Sequence, residues 1–416
     1  MITVSEHLER ILDSTGELES EVLALAEARG RCLAEPVVAA VAVPPWTNSA
    51  MDGYAVRFED VAEADDVSPV TLEVVADIAA GSGANPDLGP GQSARIMTGA
   101  PVPTAADTVI PLELTDRGSG AVEVRSPLTR GRHIRHAGED RQPGELVAAT
   151  GSGLTPESLA AIASAGQAEV TVYRRPKVVV ISTGDELVAP GAELSRGQIP
   201  DSNSLLVSFL AADAGATVTA DHAGDASGEL AKTIERVRGE ADVIVMTGGV
   251  SVGAHDPVKA LFEGGNEVRF NRVSMQPGKP QAFGRLGVEG PLVFGLPGNP
   301  VSAWASFQIF VRPSLRKMQG FTALTPEAVP ARASEDWNTP QGRMQVIPVR
   351  IHDGDERHVM PAAEGGSGSH LIASLADADG YALVDADVER VRAGDQVRTV
   401  RLRDPEQFNH QQRSTP

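Results

Sequence analysis

The sequence predicts a multidomain α/β protein: a central doubly wound sheet, parallel or mixed, with an elongated β-rich region before it and a small β-barrel after it. Three observations carry this. Between residues 177 and 320, continuous apolar runs alternate with helical patterns, the rhythm of a sheet covered on both faces. Short β-rich runs broken by Gly and Pro fill residues 46–140 and recur beyond Gly320. A chain of 416 residues exceeds what one ordinary core holds, so two to four domains are expected.

Taken in order, the first element is a helix. Thr3 and Glu6 have capping-box spacing, and Val4, Leu8, Ile11 and Leu12 share one helical face. Strands are expected at Val70 to Val75, Ala94 to Met97, Thr108 to Leu112 and Val122 to Val124. A second helix has Thr155 as N-cap, Pro156 at its first position and Gly166 past its end. Then come a strand at Lys177 to Ser182, a helix capped by Ser202 and ended by Gly215, and a strand at Thr217 to Ala220. A helix capped by Ser227 follows, then strands at Asp242 to Met246 and Leu292 to Gly295, and a long helix from Pro300 through Trp304, Phe307 and Val311. Beyond Gly320 the pattern is strands alone, at Met344 to Ile351, Tyr381 to Val384 and Gln396 to Leu402. The expected domains are 1–45 with 141–176 (helical linker), 46–140 (inserted, β-rich), 177–320 (central α/β) and 321–403 (β-barrel). A polar tail, 404–416, is expected to fray.

Composition narrows the function. A formal net charge of −20 repels nucleic-acid backbones and anionic lipid, so neither is an expected partner. An anionic substrate then needs local cations or backbone N–H groups. The single cysteine, Cys32, excludes an internal disulfide and a cysteine metal cage. The nine histidines show no metal-ligand spacing, which argues against zinc. No apolar run approaches the ~18 residues of a membrane span, and the start lacks the pattern of a secretory signal. A cytoplasmic enzyme is expected.

Ligands of open α/β sheets bind beyond the carboxyl ends of the strands. Three motifs sit at that edge: Ser182-Thr183-Gly184-Asp185-Glu186, the run from Thr247 to Asp256, and Gly295-Leu296-Pro297-Gly298-Asn299-Pro300. The second contains Gly248, Gly249, Ser251 and Gly253. Glycines there let backbone N–H groups approach an anion, and the following helix adds its dipole; each motif alone is equally a tight βα turn. Asp185, Glu186, Asp225 and Asp256 fall at strand ends, where they converge on a hard cation such as Mg²⁺ or simply cap helices. Gln276-Pro277-Gly278-Lys279-Pro280 holds a lysine in a rigid loop, a point charge for an oxyanion. Three more motifs lie outside regular structure: Asn48 to Val56 with Asp52, Met97 to Pro103 with Thr98, and Gly131 to Asp140.

In this order, these motifs and a Gly368-Ser369-His370 element resemble those of the molybdopterin molybdotransferases, the MoeA family related to the gephyrin E domain. The resemblance spans residues 1 to 403. It implies the molybdopterin-binding fold for the central domain and the last step of molybdenum cofactor synthesis, in which adenylylated molybdopterin and molybdate react and AMP leaves. It also implies Mg²⁺ and an elongated homodimer with intersubunit sites. Asp52, Thr98 and Asp140 would come from one chain, and Glu186, Asp225, Asp256 and Lys279 from its partner. Within that resemblance Glu186, Asp225 and Asp256 are the metal ligands. Thr98, Thr183, Gly184, Asp185, Thr247, Gly248, Gly249, Ser251, Gly253, Gln276, Pro297, Gly298, Asn299 and Ser369 contact substrate. Gln276 stands where many members carry a second lysine, and the residues flanking Asp225 depart from the usual pattern. A molybdopterin adenylyltransferase sharing the small central fold, and a non-catalytic gephyrin-like scaffold, are the competing assignments.

Overall fold

The computed structural model describes residues 1–126, 129–249, 257–262, 264–265, 267–363 and 368–402. The chain sorts into two compact units, one of Val22–Arg29 and Glu35–Thr171, the other of Met1–Glu21, Gly30–Ala34 and the chain from Val172 onward. The expected tail 404–416 lies outside the described residues.

The larger unit opens with helix α1, Val4–Asp13, whose capping box is formed: Glu6 N–H donates to Thr3 Oγ1 at 3.1 Å and Thr3 N–H to Glu6 Oε2 at 2.7 Å. Its sheet contains β1 (Lys177–Thr183), β2 (Thr217–Ala223), β3 (Val243–Thr247), β4 (Val268–Arg272), β5 (Pro280–Arg285) and β6 (Leu292–Leu296), in the order β2-β1-β3-β6-β5-β4. The first four in that order are parallel. β5 alone is reversed, antiparallel to both of its neighbours, β6 and β4, so the sheet is mixed. Neither β4 nor β5 was among the expected elements, because Pro280 and the exposed arginines of β4 disguise them.

Side-chain alternation divides the sheet between two cores. Val178 and Val180 join Val243, Val245 and Phe294 on one face, under α2 (Ser202–Asp213). Val179 and Ile181 join Ile244, Met246 and Val293 on the other, with Leu230 and Ile234 of α3 (Glu229–Val237) and Val258 of α4 (Pro257–Phe262). Two helix starts differ from expectation. Asp201, not Ser202, caps α2 by accepting from Ser204 N–H, because its carboxylate reaches the free donor and Ser202 already lies in the helix. Gly228, at φ +82°, takes the N-cap of α3 in place of Ser227. The helix from Pro300 runs to Met318 as Pro300–Ser306, a buried π-turn at Phe307–Val311 and Arg312–Met318.

The C-terminal strands β7 (Val329–Ala333), β8 (Met344–His352), β9 (His358–Pro361), β10 (Gly380–Val384) and β11 (Gln396–Arg401) close on themselves, because β8 pairs with both β9 and β10. Inward residues such as Ile347, Val349, Ala382 and Val397 fill this five-stranded barrel, and closure leaves no free edge. Val346, Tyr381 and Val400 point the other way into the central core.

The smaller unit is built on a five-stranded sheet ordered Thr108–Pro111, Gly53–Val56, Gln92–Ile96, Val70–Ile78 and Ala121–Val124. Separate buried clusters cover its two faces. Its helix Pro156–Ser164 starts at Thr155 as expected.

Candidate active site

β1 sends its next neighbour in sequence, β2, to one side, and β3 lies on the other. The crevice beyond β1 and β3 is therefore the topological switch point, where such sheets bind ligands. Pairing brings the strand ends level: Ser182 stands opposite Thr247, and Thr247 opposite Leu296. Thr183 and Thr247 are buried there, and Thr183 Oγ1 donates to Thr247 O at 3.4 Å. Gly248 (φ +92°) donates its N–H to Leu296 O at 3.1 Å, and a methyl on it would lie 3.0 Å from Thr183 Oγ1. A methyl on Gly298 would in turn lie 3.5 Å from Gly248 Cα. The turns thus lie against one another as one floor, tightest at Gly248, where the left-handed backbone and the 3.0 Å approach to Thr183 Oγ1 both disfavour a side chain. Among the described residues Thr247 Oγ1 is buried without a partner.

The acidic residues lie beside it. Asp185 N–H donates to Asp225 Oδ2 at 3.3 Å and Asp225 N–H to Asp185 Oδ1 at 3.0 Å, so the loops after β1 and β2 lock reciprocally. Glu186 folds back under Gly184, where a methyl would lie 2.2 Å from Glu186 Oε2. Among the described residues no three His, Cys, Asp or Glu side chains gather as a metal cage. Ser251, Gly253 and Asp256 lie outside the described residues.

The Lys279 loop lines a separate recess of about 290 Å³. Gln276, Gly278, Lys279, Ser302, Arg343 and Ser369 border it. Each arrives by a different route. Gln281, buried in β5, donates Nε2–H to Gly278 O and to Ser306 Oγ, both at 2.6 Å, which ties the loop to the helix from Pro300. Asn299 donates to Ser369 Oγ at 3.0 Å, and Val301 N–H to Ser369 O at 3.1 Å. Arg343 arrives because Met275 and Gln276 pair in parallel with Met344 and Gln345. Two hydroxyls and two cations around a small recess suit a compact dianion. Arg343 and Ser302 were not singled out from the sequence. Arg343 follows the turn residue Gly342 (φ +70°), a mark of a loop and not of a site, and only strand pairing brings it to Gln276.

Asp52, Thr98 and Asp140 belong to the smaller unit, whose three motifs are stitched together. Gly99 N–H donates to Ser49 O at 2.8 Å, Ala50 N–H to His133 O at 2.9 Å, and Ala137 N–H to Thr47 Oγ1 at 3.2 Å. Asp52 Oδ1 accepts from Thr98 N–H at 2.6 Å and Thr98 Oγ1–H at 2.8 Å. Those two donors, backbone first, hold the exposed Asp52 carboxyl below its usual range. Gly53 follows because a methyl there would lie 2.0 Å from Ile110 O. Asp140 is exposed and meets Arg141 Nη1 at 3.1 Å.

Comparison with known proteins agrees with this geometry. Residues 2–166 match the model of the MoeA N-terminal region (domain I and II), 179–317 a probable molybdopterin binding domain, and 330–402 the MoeA C-terminal region (domain IV). The chain is 40% identical over 404 residues to molybdopterin molybdenumtransferase 2 of Mycobacterium tuberculosis H37Rv, covering 95% of this chain and 98% of that protein. It is 34% identical to molybdopterin molybdenumtransferase of Haemophilus influenzae Rd, covering 99% of each. The crystal structure of a molybdopterin biosynthesis MoeA protein from Pyrococcus horikoshii superposes with a TM-score of 0.79 at 32% identity, covering 96% of this chain and 99% of that one. These matches run through the N-terminal and C-terminal regions as well as the central domain, which disfavours the small adenylyltransferase assignment. By sequence and fold together, the chain belongs to the MoeA family of molybdopterin molybdenumtransferases.

Proposed function

We propose that this chain inserts molybdenum from molybdate into adenylylated molybdopterin with release of AMP, as a Mg²⁺-assisted homodimer in the cytoplasm. The observation that carries this is the recess bordered by Lys279, Arg343, Ser302 and Ser369. Molybdate is a tetrahedral dianion, and two cations with two hydroxyls match its charge and its oxygens. Arg343 also bears on the Gln276 departure: the recess keeps a second positive charge without a lysine there.

The floor beyond β1, β3 and β6 takes the anionic part of the pterin substrate through backbone N–H groups other than those of Gly184 and Gly248, which already donate to Ala223 O and Leu296 O. The locked Asp185 and Asp225 loops support a hard cation: each carboxylate spends one oxygen on the other's N–H, and oxygen donors suit Mg²⁺. Glu186, Asp225 and Asp256 would hold it, with substrate and water oxygens completing the shell. When bound, the ion would neutralise charge on the phosphoanhydride link of the substrate.

Asp52 is held ionised and fixed in direction by Thr98, and we place it, with Asp140, on the substrate bound to a second copy of the chain. The chain's contribution is positioning and electrostatics, with no covalent protein intermediate. The test is AMP release from adenylylated molybdopterin with Mg²⁺ and molybdate. Wild type should release AMP, and Lys279→Ala should lose about 10²-fold or more of the rate, the scale of removing one preorganised charge. No release above an enzyme-free control would overturn the proposal and favour a scaffold.

A further inference from the structure

The unit containing the central sheet has a second concavity, of about 700 Å³, that shares no lining residue with the Lys279 recess. It lies where α1 crosses β4 and β5. Ile2 anchors the helix start there, donating N–H to Arg272 O at 3.0 Å and accepting from Ser274 N–H at 2.8 Å. α1 contributes His7 and Arg10, β4 contributes Arg269 and Asn271, and β5 contributes Phe283 and Arg285. This volume falls in the range of small-molecule pockets, and three arginines, Arg10, Arg269 and Arg285, outnumber the two carboxylates of the lining, Asp13 and Glu267.

The polar groups of this wall divide into committed and uncommitted sets. Arg285 is committed: it donates to Gly290 O at 2.8 Å and Ser14 O at 2.5 Å, so it builds the wall. Glu267 is committed too, accepting from Gly287 N–H at 2.9 Å. Arg10 and Arg269 are exposed and have no hydrogen-bonded carboxylate among the described residues. His7 is only 1% exposed, edge-on to Phe310 at 4.8 Å and Phe283 at 6.3 Å, and its Nδ1 is buried without a partner. That burial closes the nitrogen off from the concavity as well, so His7 is a wall residue and not a ligand contact. Burial, with Arg10 as the lesser cause, pushes His7 down to about 4, so the ring stays neutral and keeps an acceptor nitrogen at physiological pH. Two uncommitted guanidiniums beside an aromatic face, in a chain of net charge −20, are local anion-seeking groups against the global field.

We infer that this concavity is a second binding site for a ring-bearing phosphate or carboxylate, its anionic head on Arg10 and Arg269 and its ring against Phe283. It is separate from the transfer site and does not depend on the reaction assigned there. Phosphate and carboxylate share the bidentate guanidinium chemistry, so the test carries both.

The experiment titrates the full chain by calorimetry with phenyl phosphate, benzoate, inorganic phosphate and phenol. Saturable binding of phenyl phosphate or benzoate is expected, tighter than that of the headless or ringless probe; the stronger of the two identifies the head group. Arg10→Ala with Arg269→Ala should weaken it about tenfold or more, as loss of charge-assisted contacts does. Both side chains are exposed, so the fold should survive, and circular dichroism checks this. Arg269→Glu supplies an independent second variant with the same expected loss. Lys279→Ala should leave binding unchanged. Absence of saturable binding, binding indifferent to the arginine changes, or binding abolished by Lys279→Ala would each overturn the inference.

Discussion

Replacing Gln281 by Met tests whether the Lys279 loop is held by buried hydrogen bonds. Gln281 is 2% exposed and nearly the same size as Met, so the change removes donors with little change in volume. Two bonds of 2.6 Å are lost, to Gly278 O and Ser306 Oγ. Each is worth about 1 kcal/mol net, and a buried carbonyl left unpaired at Gly278 adds about 1–3 kcal/mol. Ser306 keeps its own bond to Ser302 O at 2.7 Å, so no second orphan is expected there. The sum is a loss of about 3–5 kcal/mol, with the upper part recovered if water reaches the carbonyl. Gly278 sits at φ +102° with Ser306 Oγ 2.9 Å and Met275 Cε 3.1 Å from where a methyl would be, so a freed loop has no alternative close packing. The assay pairs urea unfolding with molybdate binding. Gln319→Met is the control: Gln319 is equally buried and donates to Ala214 O and Leu315 O, at 2.8 and 2.9 Å, but does not border the recess. Both variants should lose stability, and only Gln281→Met should weaken molybdate, by about tenfold, or roughly 1.4 kcal/mol. Equal molybdate affinity in the two variants, or an unfolding midpoint unchanged in Gln281→Met, would refute the reasoning.

Three further outcomes are expected. Because His7 in the folded chain is pushed below its ordinary value of 6.5 to about 4, the unfolded chain takes up the proton first as pH falls. Stability should therefore drop between about pH 6.5 and 4, by up to about 3 kcal/mol, and His7→Leu should flatten that part of the pH–stability curve. Asp52 has the opposite charge logic: its lowered folded value contributes stability above the unfolded carboxyl range, lost as pH falls through the folded value. Thr98→Val should move the Asp52 carbon-13 titration midpoint upward, and an unmoved midpoint counts against the paired donors of Thr98. Gly53→Ala places a methyl 2.0 Å from Ile110 O between two paired strands, so the melting temperature should fall by several degrees, corresponding to about 2–3 kcal/mol of strain.

Local chemistry was legible in the sequence. The capping box at Thr3 and the N-cap at Thr155 each formed as expected, because both close within three residues; at Thr155 the structure adds a reciprocal bond from Ser158. Asp201 and Gly228 displaced Ser202 and Ser227 as caps because several adjacent residues are competent, and the entry angle of the chain selects among them. Buried strands such as Val243–Thr247 announced themselves as unbroken apolar runs. β4 and β5 did not, since an edge strand with exposed arginines and a strand beginning at proline carry no such signal.

The sequence alone determined which residues can make helices, buried strands and glycine turns, because those preferences act over a few residues along the chain. Its ordered motifs also identified the family. Tertiary structure alone decided the strand order that sets the turns after β1, β3 and β6 side by side, and the closure of the barrel through β8. It also decided the pairing that carries Arg343 to Gln276, and the burial that strands His7 Nδ1. These depend on contacts between segments tens to hundreds of residues apart, whose register and burial are fixed by packing and hydrogen-bond satisfaction across the whole core.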